Sequence, residues 1–371
     1  MRVAVTTNIL LTPPNYFVTE HAQRLRSQHE FCVFALLADV RDPSIEVPVR
    51  DFAALPRAPL RLRRWAAPFA DGALRAAVIE FAPDVIHQHF ATWSSPAIAA
   101  SRASRAPLIV TVHGYDIRSL FTRSMHPLTL VHRREVRAAA RAASRVLSVS
   151  RYLADEAIAG GFDASRLEVH YQGVDTEYFT PGDGSTTSDV PIVSFVGALE
   201  PHKGVLDLVE ASCALSDVYE HRLVLAGAGS LDERLRAISR ENPHIEVMGR
   251  VSREGVRGLL RSSRVLVLPS RPLAGGAEAA GLVLLEAQAC GTPVIAYDVG
   301  GTAEMMRAGD TGLLVPDGDR ASLGAAIREI LLIDDSERAL LSRRAREFVV
   351  TSRSVENSSA ELVRHYGDVI S

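Results

Sequence analysis

The chain has 371 residues, is 47% hydrophobic and carries a net charge of −3. That length can bury a large core and points to two domains, and the charge balance excludes a nucleic-acid binder by composition. Cys32, Cys213 and Cys290 are too few and too far apart for a disulfide scaffold or a zinc site built on cysteine, and no uncharged apolar run approaches the roughly 18 residues of a membrane span.

In chain order, RVAVTTNILL (2–11) reads as a buried strand, with apolar positions at helical spacing over 16–28 and a second strand at 30–38. Strand, helix, strand in this order implies a parallel sheet. The first apolar run is too short for a signal peptide, so the chain is expected to be cytoplasmic. Residues 40–70 are irregular and rich in Pro and Arg. Within them Arg57–Phe69 mixes Arg57, Arg61, Arg63 and Arg64 with Leu60, Leu62, Trp65 and Phe69. That mixture suits an anionic lipid surface, so peripheral contact with the inner membrane face is expected there. The basic character fits the uneven charge, +4 over residues 1–180 and −7 over 181–371, which together give −3.

Further strands are expected at 84–90, 107–114, 145–150 and 166–173, separated by helices near 71–81, 95–104, 127–142 and 151–160. Several end in polar residues: His87 and His89, His113 with Asp116, Ser148 with Ser150, Gln172 with Asp175. In open parallel sheets ligands bind beyond the carboxyl ends of the strands. TPGDGSTTSD (180–189) has linker composition. The alternation then restarts, with strands at 191–199, 222–227, 245–249, 264–269, 293–299 and 311–316. Helices are expected near 204–215, 231–241, 252–263, 281–290, 302–308, 319–333, 337–350 and 354–368. The expected architecture is α/β: an N-terminal Rossmann-like domain over 1–180, a linker over 181–190 and a C-terminal Rossmann-like domain over 191–352. A helix over 353–371 is expected to pack back toward the first domain.

Three stretches carry chemistry. In Pro269–Ala296, Glu278 lies in a glycine-bearing loop, and Glu286, eight positions on, lies in the apolar helix LVLLEAQA. Gly275, Gly276 and Gly281 let backbone approach a ligand, and the helix start suits a phosphate. A charge inside an apolar helix needs a partner, and a carboxylate accepting two hydroxyls is a way to hold a ribose. In VGALEPHKGV (196–205), a strand ends at Gly197 and Lys203-Gly204 opens a helix. Lys203 is the only lysine beside 40 arginines, which marks a position where the planar guanidinium does not serve. It can neutralise a diphosphate leaving group. In VTVHGYD (110–116), His113 and Asp116 at a strand end can contact sugar hydroxyls or manage a proton. Asp317-Gly318-Asp319 matches a metal-binding spacing but reads as a turn capping the next helix.

These motifs resemble those of GT-B-fold retaining glycosyltransferases of family 4, the group 1 glycosyltransferases. The marks are Lys203-Gly204 after Gly197, the E-x7-E of Glu278 and Glu286, ACGTPVIA after it, and HQHF (87–90), HGYD (113–116) and YQGVD (171–175) in the first half. HGYDI and NYFVTEHAQRL (15–25) are most similar to exopolysaccharide-type members. The resemblance implies GT-B, two tandem Rossmann-like doubly wound domains with a cleft between them. It implies metal-independent transfer of a hexose from a nucleoside-diphosphate sugar, with no cofactor, to a saccharide, lipid-linked or secondary-metabolite acceptor. Lys203, Glu278 and His113 would be catalytic. Gly197, Lys203, Gly204, Arg250, Val251, Glu278, Ala280, Gly281, Leu282, Val283 and Glu286 would bind the donor, with Glu286 on the ribose, Glu278 on sugar hydroxyls and Gly281–Leu282 N–H groups on the distal phosphate. Asn15, Tyr16, His113 and Asp116 would face the acceptor. Two departures stand out. Ala198 replaces an Arg that many members have, with Arg250 and Arg271 as candidate substitutes, and LTPPNYF (11–17) lacks the glycines usual in that loop. Sugar-nucleotide 2-epimerases share the fold and form a rival reading. A donor-binding protein with reduced activity is another.

Overall fold

Strands buried on both faces of a parallel sheet need near-continuous apolar runs, and the core strands here have them. A computed structural model describes residues 1–12, 15–53, 70–182 and 190–371. Arg57–Phe69, expected at a lipid surface, and the linker positions 183–189 lie outside the described residues.

The chain divides into two compact units. The first comprises Met1–Gln172, Ala274–Gly276 and Ser358–Ser371, the second Gly173–Leu273 and Ala277–Asn357. The first holds a seven-stranded sheet in the order β3-β2-β1-β4-β5-β6-β7. Its strands are β1 (Arg2–Thr12), β2 (Glu30–Val40), β3 (Val49–Asp51), β4 (Val85–His89), β5 (Leu108–Val112), β6 (Arg145–Ser148) and β7 (Leu167–Val169). Every pairing is parallel. Val3, Ala4, Val33 and Ile109 are fully buried, as the apolar pattern requires. Between the strands run α1 (Glu20–Leu25), α2 (Asp71–Glu80), α3 (Ser95–Ser104), α4 (Tyr115–Phe121), α5 (Pro127–Ala142) and α6 (Arg151–Ala159).

The second unit holds six parallel strands in the order β10-β9-β8-β11-β12-β13. These are β8 (Ile192–Val196), β9 (Arg222–Ala226), β10 (Ile245–Gly249), β11 (Val265–Leu268), β12 (Val294–Tyr297) and β13 (Gly312–Val315). The helices are α7 (Val205–Ser216), α8 (Asp232–Glu241), α9 (Arg253–Ser262), α10 (Leu282–Ala289), α11 (Arg320–Leu332) and α12 (Asp335–Ser352). Asp319 caps α11 by accepting from the Ser322 N–H. The last helix, α13 (Val355–Ile370), contributes Leu362 and Tyr366 to the core beneath β1 and β2 of the first unit.

Two expectations change. The helix expected over 16–28 is a short 3₁₀ turn, Tyr16–Val18, followed by α1, which ends at Leu25. The helix expected near 302–308 is a 3₁₀ segment, Thr302–Met305.

In each sheet the strand order reverses once, between β1 and β4 and between β8 and β11. Such switch points open a crevice at the carboxyl ends of the strands, because the two flanking connections leave to opposite faces.

Candidate active site

At the switch point of the second sheet, the chain leaves β8 through Gly197 and a 3₁₀ turn, Pro201–Lys203, before α7. Gly204 closes this turn with φ +65°, and a Cβ there would lie 1.7 Å from the Pro269 carbonyl oxygen. Only glycine lets the end of β11 pack so closely on the turn. The Arg271 N–H donates to the His202 carbonyl at 2.8 Å, joining the two strand exits.

This contact sets Lys203 beside the segment after β11. Lys203 Nζ donates to Glu278 Oε2, and Ser270 Oγ donates to the same oxygen at 2.8 Å. Burial pushes the Glu278 carboxyl up, but the Lys203 charge and the bonds from Lys203 and Ser270 outweigh it and hold the group below its ordinary range. The pair is largely shielded, with side-chain exposures of 21% for Lys203 and 15% for Glu278. Glu278 is held from behind as well. Its carbonyl accepts from the Gly301 N–H at 2.8 Å, and a Cβ on Gly300, at φ +61°, would meet that oxygen at 2.3 Å.

Gly281, at φ +82°, stands at the N-cap of α10. Ala280 is buried, while Gly281, Leu282 and Val283 are half-buried along the start of the helix. Glu286 is half-buried one turn further on. Gln288 is fully buried and anchors α10 by donating to the carbonyls of Leu284 at 2.9 Å and Met305 at 2.7 Å. Val251 is half-buried and Arg250 exposed beyond Gly249, the last residue of β10.

The Ala198 departure is not filled by a free guanidinium at Arg271. That side chain lies 3.5 Å from Asp207 and 3.9 Å from Asp317. Buried Asp207 also meets Arg320 at 2.9 Å and accepts from the Tyr297 hydroxyl at 3.3 Å.

In the first unit, His113 follows β5. Its Nε2 lies 3.1 Å from His89 Nδ1, and its ring sits 4.8 Å from Phe17 and 4.5 Å from Phe90. Burial, then the neighbouring His89 and His21, push its pKa well below the ordinary histidine value, so the ring is neutral. Asp116, expected to face an acceptor, is instead 0% exposed. Its carboxylate accepts from the backbone N–H groups of Ala91, His113, Gly114 and Ile117 at 2.9 to 3.1 Å. Burial raises the carboxyl, and these bonds oppose the rise. Asp116 therefore builds the loop that carries His113. Asn15 N–H donates to the Leu11 carbonyl at 2.7 Å, and the Tyr16 hydroxyl donates to Asp42 at 2.9 Å.

Sequence reading names His89 only as a polar strand end, with no role, and does not single out Ser270. Ser270 is a polar residue at the exit of β11, which is the signal that could have found it.

Comparison with known proteins agrees with this geometry. The model of the group 1 glycosyl transferases matches residues 182–348, and that of Glycosyltransferase Family 4 matches residues 15–178. The chain belongs to the group 1 glycosyltransferases. Among curated members, the D-inositol 3-phosphate glycosyltransferase of Acidothermus cellulolyticus is 31% identical over 276 residues, 67% of this chain and 59% of the relative. That of Mycobacterium sp. (strain KMS) is 34% identical over 184 residues, 46% of this chain and 40% of the relative. The aligned part of the chain thus spans about half the length of these relatives. Among solved structures, sucrose-phosphate synthase from Thermosynechococcus elongatus superposes with a TM-score of 0.81 at 21% identity, covering 100% of this chain and 99% of that one. Anabaena HepE, solved in complex with UDP, superposes with a TM-score of 0.79 at 19% identity, covering 99% and 100%. At such identities the likeness establishes the fold, which is GT-B. No helix among the described residues is long and apolar enough to cross a membrane.

Proposed function

We propose that this chain transfers a hexose from a nucleoside-diphosphate sugar to a saccharide, lipid-linked or secondary-metabolite acceptor. Configuration is retained and no metal takes part in the transfer. The observation that carries the reading is the Lys203–Glu278 pair at the switch point of the second sheet, locked by glycine contacts at both of its strand exits. The names of the curated relatives support glycosyl transfer, and the UDP and UDP-glucose bound to HepE support a nucleotide-sugar donor.

In this reading the second unit binds the donor. Glu286 takes the ribose hydroxyls, and the backbone around Arg250 and Val251 meets the base. The N–H groups of Gly281, Leu282 and Val283 take the distal phosphate at the positive end of α10. Glu278 accepts sugar hydroxyls. Lys203 has three donor hydrogens, and the bond to Glu278 uses one. The others stabilise the charge that grows on the diphosphate as the bond from sugar C1 to its oxygen breaks. The acceptor oxygen bonds to C1 on the face the diphosphate leaves, and its proton passes to the departing phosphate oxygen. No side-chain base is required by this route. In the first unit, neutral His113, held by the Asp116 loop, faces the acceptor. We place the reaction in the cytoplasm, in assembly of a polysaccharide or a related glycoconjugate.

Thermal-shift titration with UDP, GDP, ADP and dTDP and their sugars tests the donor assignment. At least one nucleotide should raise the melting temperature, and Glu286→Ala should weaken that shift. No shift with any of them would contradict the reading.

A further inference from the structure

Half of the chain's 12 histidines lie together in the first unit: His21, His87, His89, His113, His170 and His365. Four of them hydrogen-bond within the cluster or to a nearby hydroxyl. His21 Nε2 meets Ser358 Oγ at 2.9 Å, His87 meets the Tyr366 hydroxyl at 2.8 Å and Thr111 at 2.7 Å, and His89 meets His113. The other two differ. Among the described residues, both ring nitrogens of His170 and Nε2 of His365 are buried without a hydrogen-bond partner. His170 is 2% exposed and His365 0%. Buried polar atoms are normally paired, and unpaired ring nitrogens on two neighbouring histidines call for an occupant.

These nitrogens share their spot with a carboxylate. Glu361 Oε2 lies 3.4 Å from His170 Nδ1, within ion-pair range though not aligned as a hydrogen bond. His170, Glu361 and His365 each offer one ligand atom, and all three lie within 4.8 Å of one another. We propose that His170, Glu361 and His365 form a divalent transition-metal site, best suited to zinc, that staples the C-terminal helix to the end of β7.

The fold prepares the three ligands. His170 follows β7 directly, and its N–H is fixed on the Ser148 carbonyl at 2.7 Å. Glu361 and His365 are four apart on α13 and so share one helix face. Their neighbours Leu362 and Tyr366 are buried in the core and fix that face. Two imidazoles and a carboxylate are a borderline donor set that suits zinc, with a water completing four-coordination. Bonds of about 2.0–2.2 Å require donor atoms about 3.3–3.6 Å apart. The His170–Glu361 pair already meets this at 3.4 Å, and the His365 ligand atom, within 4.8 Å of both, must close in to complete the site. Glu361 is 37% exposed and supplies the entry path.

A supporting shell is also present. Glu168 Oε2 lies 3.6 Å from His365 Nδ1, close enough to back a ligating histidine once Nδ1 carries the ring proton. Arg145 Nη1 lies 2.9 Å from His365 Nδ1, and equally close to Glu168 and Asp368. Arg145 can only donate, so His365 Nδ1 accepts its N–H and the ring proton of the metal-free form sits on Nε2. Metal binding at Nε2 therefore moves that proton to Nδ1, and requires Arg145 to turn from Nδ1 to its carboxylates so that Glu168 can accept it. None of these residues is assigned to transfer, so the ion acts on stability.

The test uses the full chain without an affinity tag, stripped with a chelator and titrated with Co(II) and then Zn(II). One equivalent of Co(II) should give a ligand-field absorption that Zn(II) abolishes, and Zn(II) should raise the melting temperature. His365→Ala should remove both signals. Glu361→Gln, at the exposed rim, keeps the fold and should weaken binding at least about tenfold. Glu168→Gln should weaken it about 10–100-fold, as loss of a supporting carboxylate does. Absence of stoichiometric Co(II) binding, or binding unchanged in both His365→Ala and Glu361→Gln, would overturn the proposal.

Discussion

Lys203 and Glu278, 75 positions apart, are joined as an ion pair across the two strand exits that flank the switch point of the second sheet. Each half is placed by a glycine that admits a carbonyl where a side chain would collide: Gly204 against Pro269, Gly300 against Glu278 itself. The pair is therefore a property of the sheet topology and not of two flexible side chains that happened to meet.

Replacing Lys203 by Ala should lower kcat about 10²–10³-fold, the usual effect of removing one preorganised charge-stabilising donor. Steady-state kinetics with circular dichroism on the same sample measures this. Turnover within a few-fold of the parent would show that the leaving group is stabilised elsewhere. Glu278→Gln should also lower kcat, because a neutral amide accepts sugar hydroxyls less strongly than a carboxylate.

Gly204→Ala introduces about 1–3 kcal/mol of backbone strain at positive φ and forces apart the Pro269 contact. Stability by denaturant unfolding and kcat should fall together, since Lys203 is the adjacent residue. A variant as stable and as active as the parent would mean that the turn can relax without moving Lys203.

Asp116→Asn should destabilise the protein by at least about 2 kcal/mol, because an amide cannot accept from all the N–H groups now pointing at the carboxylate. KM for the acceptor should rise as the His113 loop loosens, while nucleotide binding in the second unit is unchanged. Denaturant unfolding and acceptor titration separate the two effects. Unaltered stability would contradict the structural role given to Asp116.

Stability should fall as the medium is acidified below pH ~6.5, the ordinary histidine value. His87, His89 and His113 are neutral in the folded state, first because they are buried and then because neighbouring histidines repel added charge. Below that pH the unfolded chain binds protons that the folded chain does not, so each such ring costs about 1.4 kcal/mol per pH unit. Glu278 adds a second loss at lower pH. Its folded pKa is depressed, so its contribution is complete above the unfolded carboxylate value and disappears as pH falls through the folded one. Denaturation midpoints at pH 7.5, 6.5 and 5.5 check this, and a flat profile would contradict it.

Most of the fold is legible in the sequence because the core strands are apolar on both faces and the turns between them carry Gly, Pro and Asp. IEVMG (245–249) and the helices at 95–104 and 127–142 have the bounds the pattern suggests. β3 was not read, because Val49–Asp51 is a three-residue edge strand with two exposed polar positions. Nor was α4, whose start at Tyr115 depends on Gly114 at φ 103°, a backbone state that no periodicity reports. Within the candidate site, Lys203 stood out as the lone lysine and Glu286 as a charge in an apolar helix. The pairing of Lys203 with Glu278 did not, since it depends on which strands are neighbours. Asp116 was misjudged for a related reason. H-x-x-D at a strand end fits either a ligand contact or a loop anchor, and only burial separates them.

The central claim is tested most directly by nucleotide release. The parent chain, Lys203→Ala and Glu286→Ala are each incubated with the donor found by thermal shift, with and without a saccharide acceptor, and released nucleoside diphosphate is quantified together with the glycosylated product. The account predicts acceptor-dependent release with one product per nucleotide by the parent, and losses of orders of magnitude in both folded variants. Release that ignores the acceptor, or that persists at near-parent rates in both variants, would contradict it.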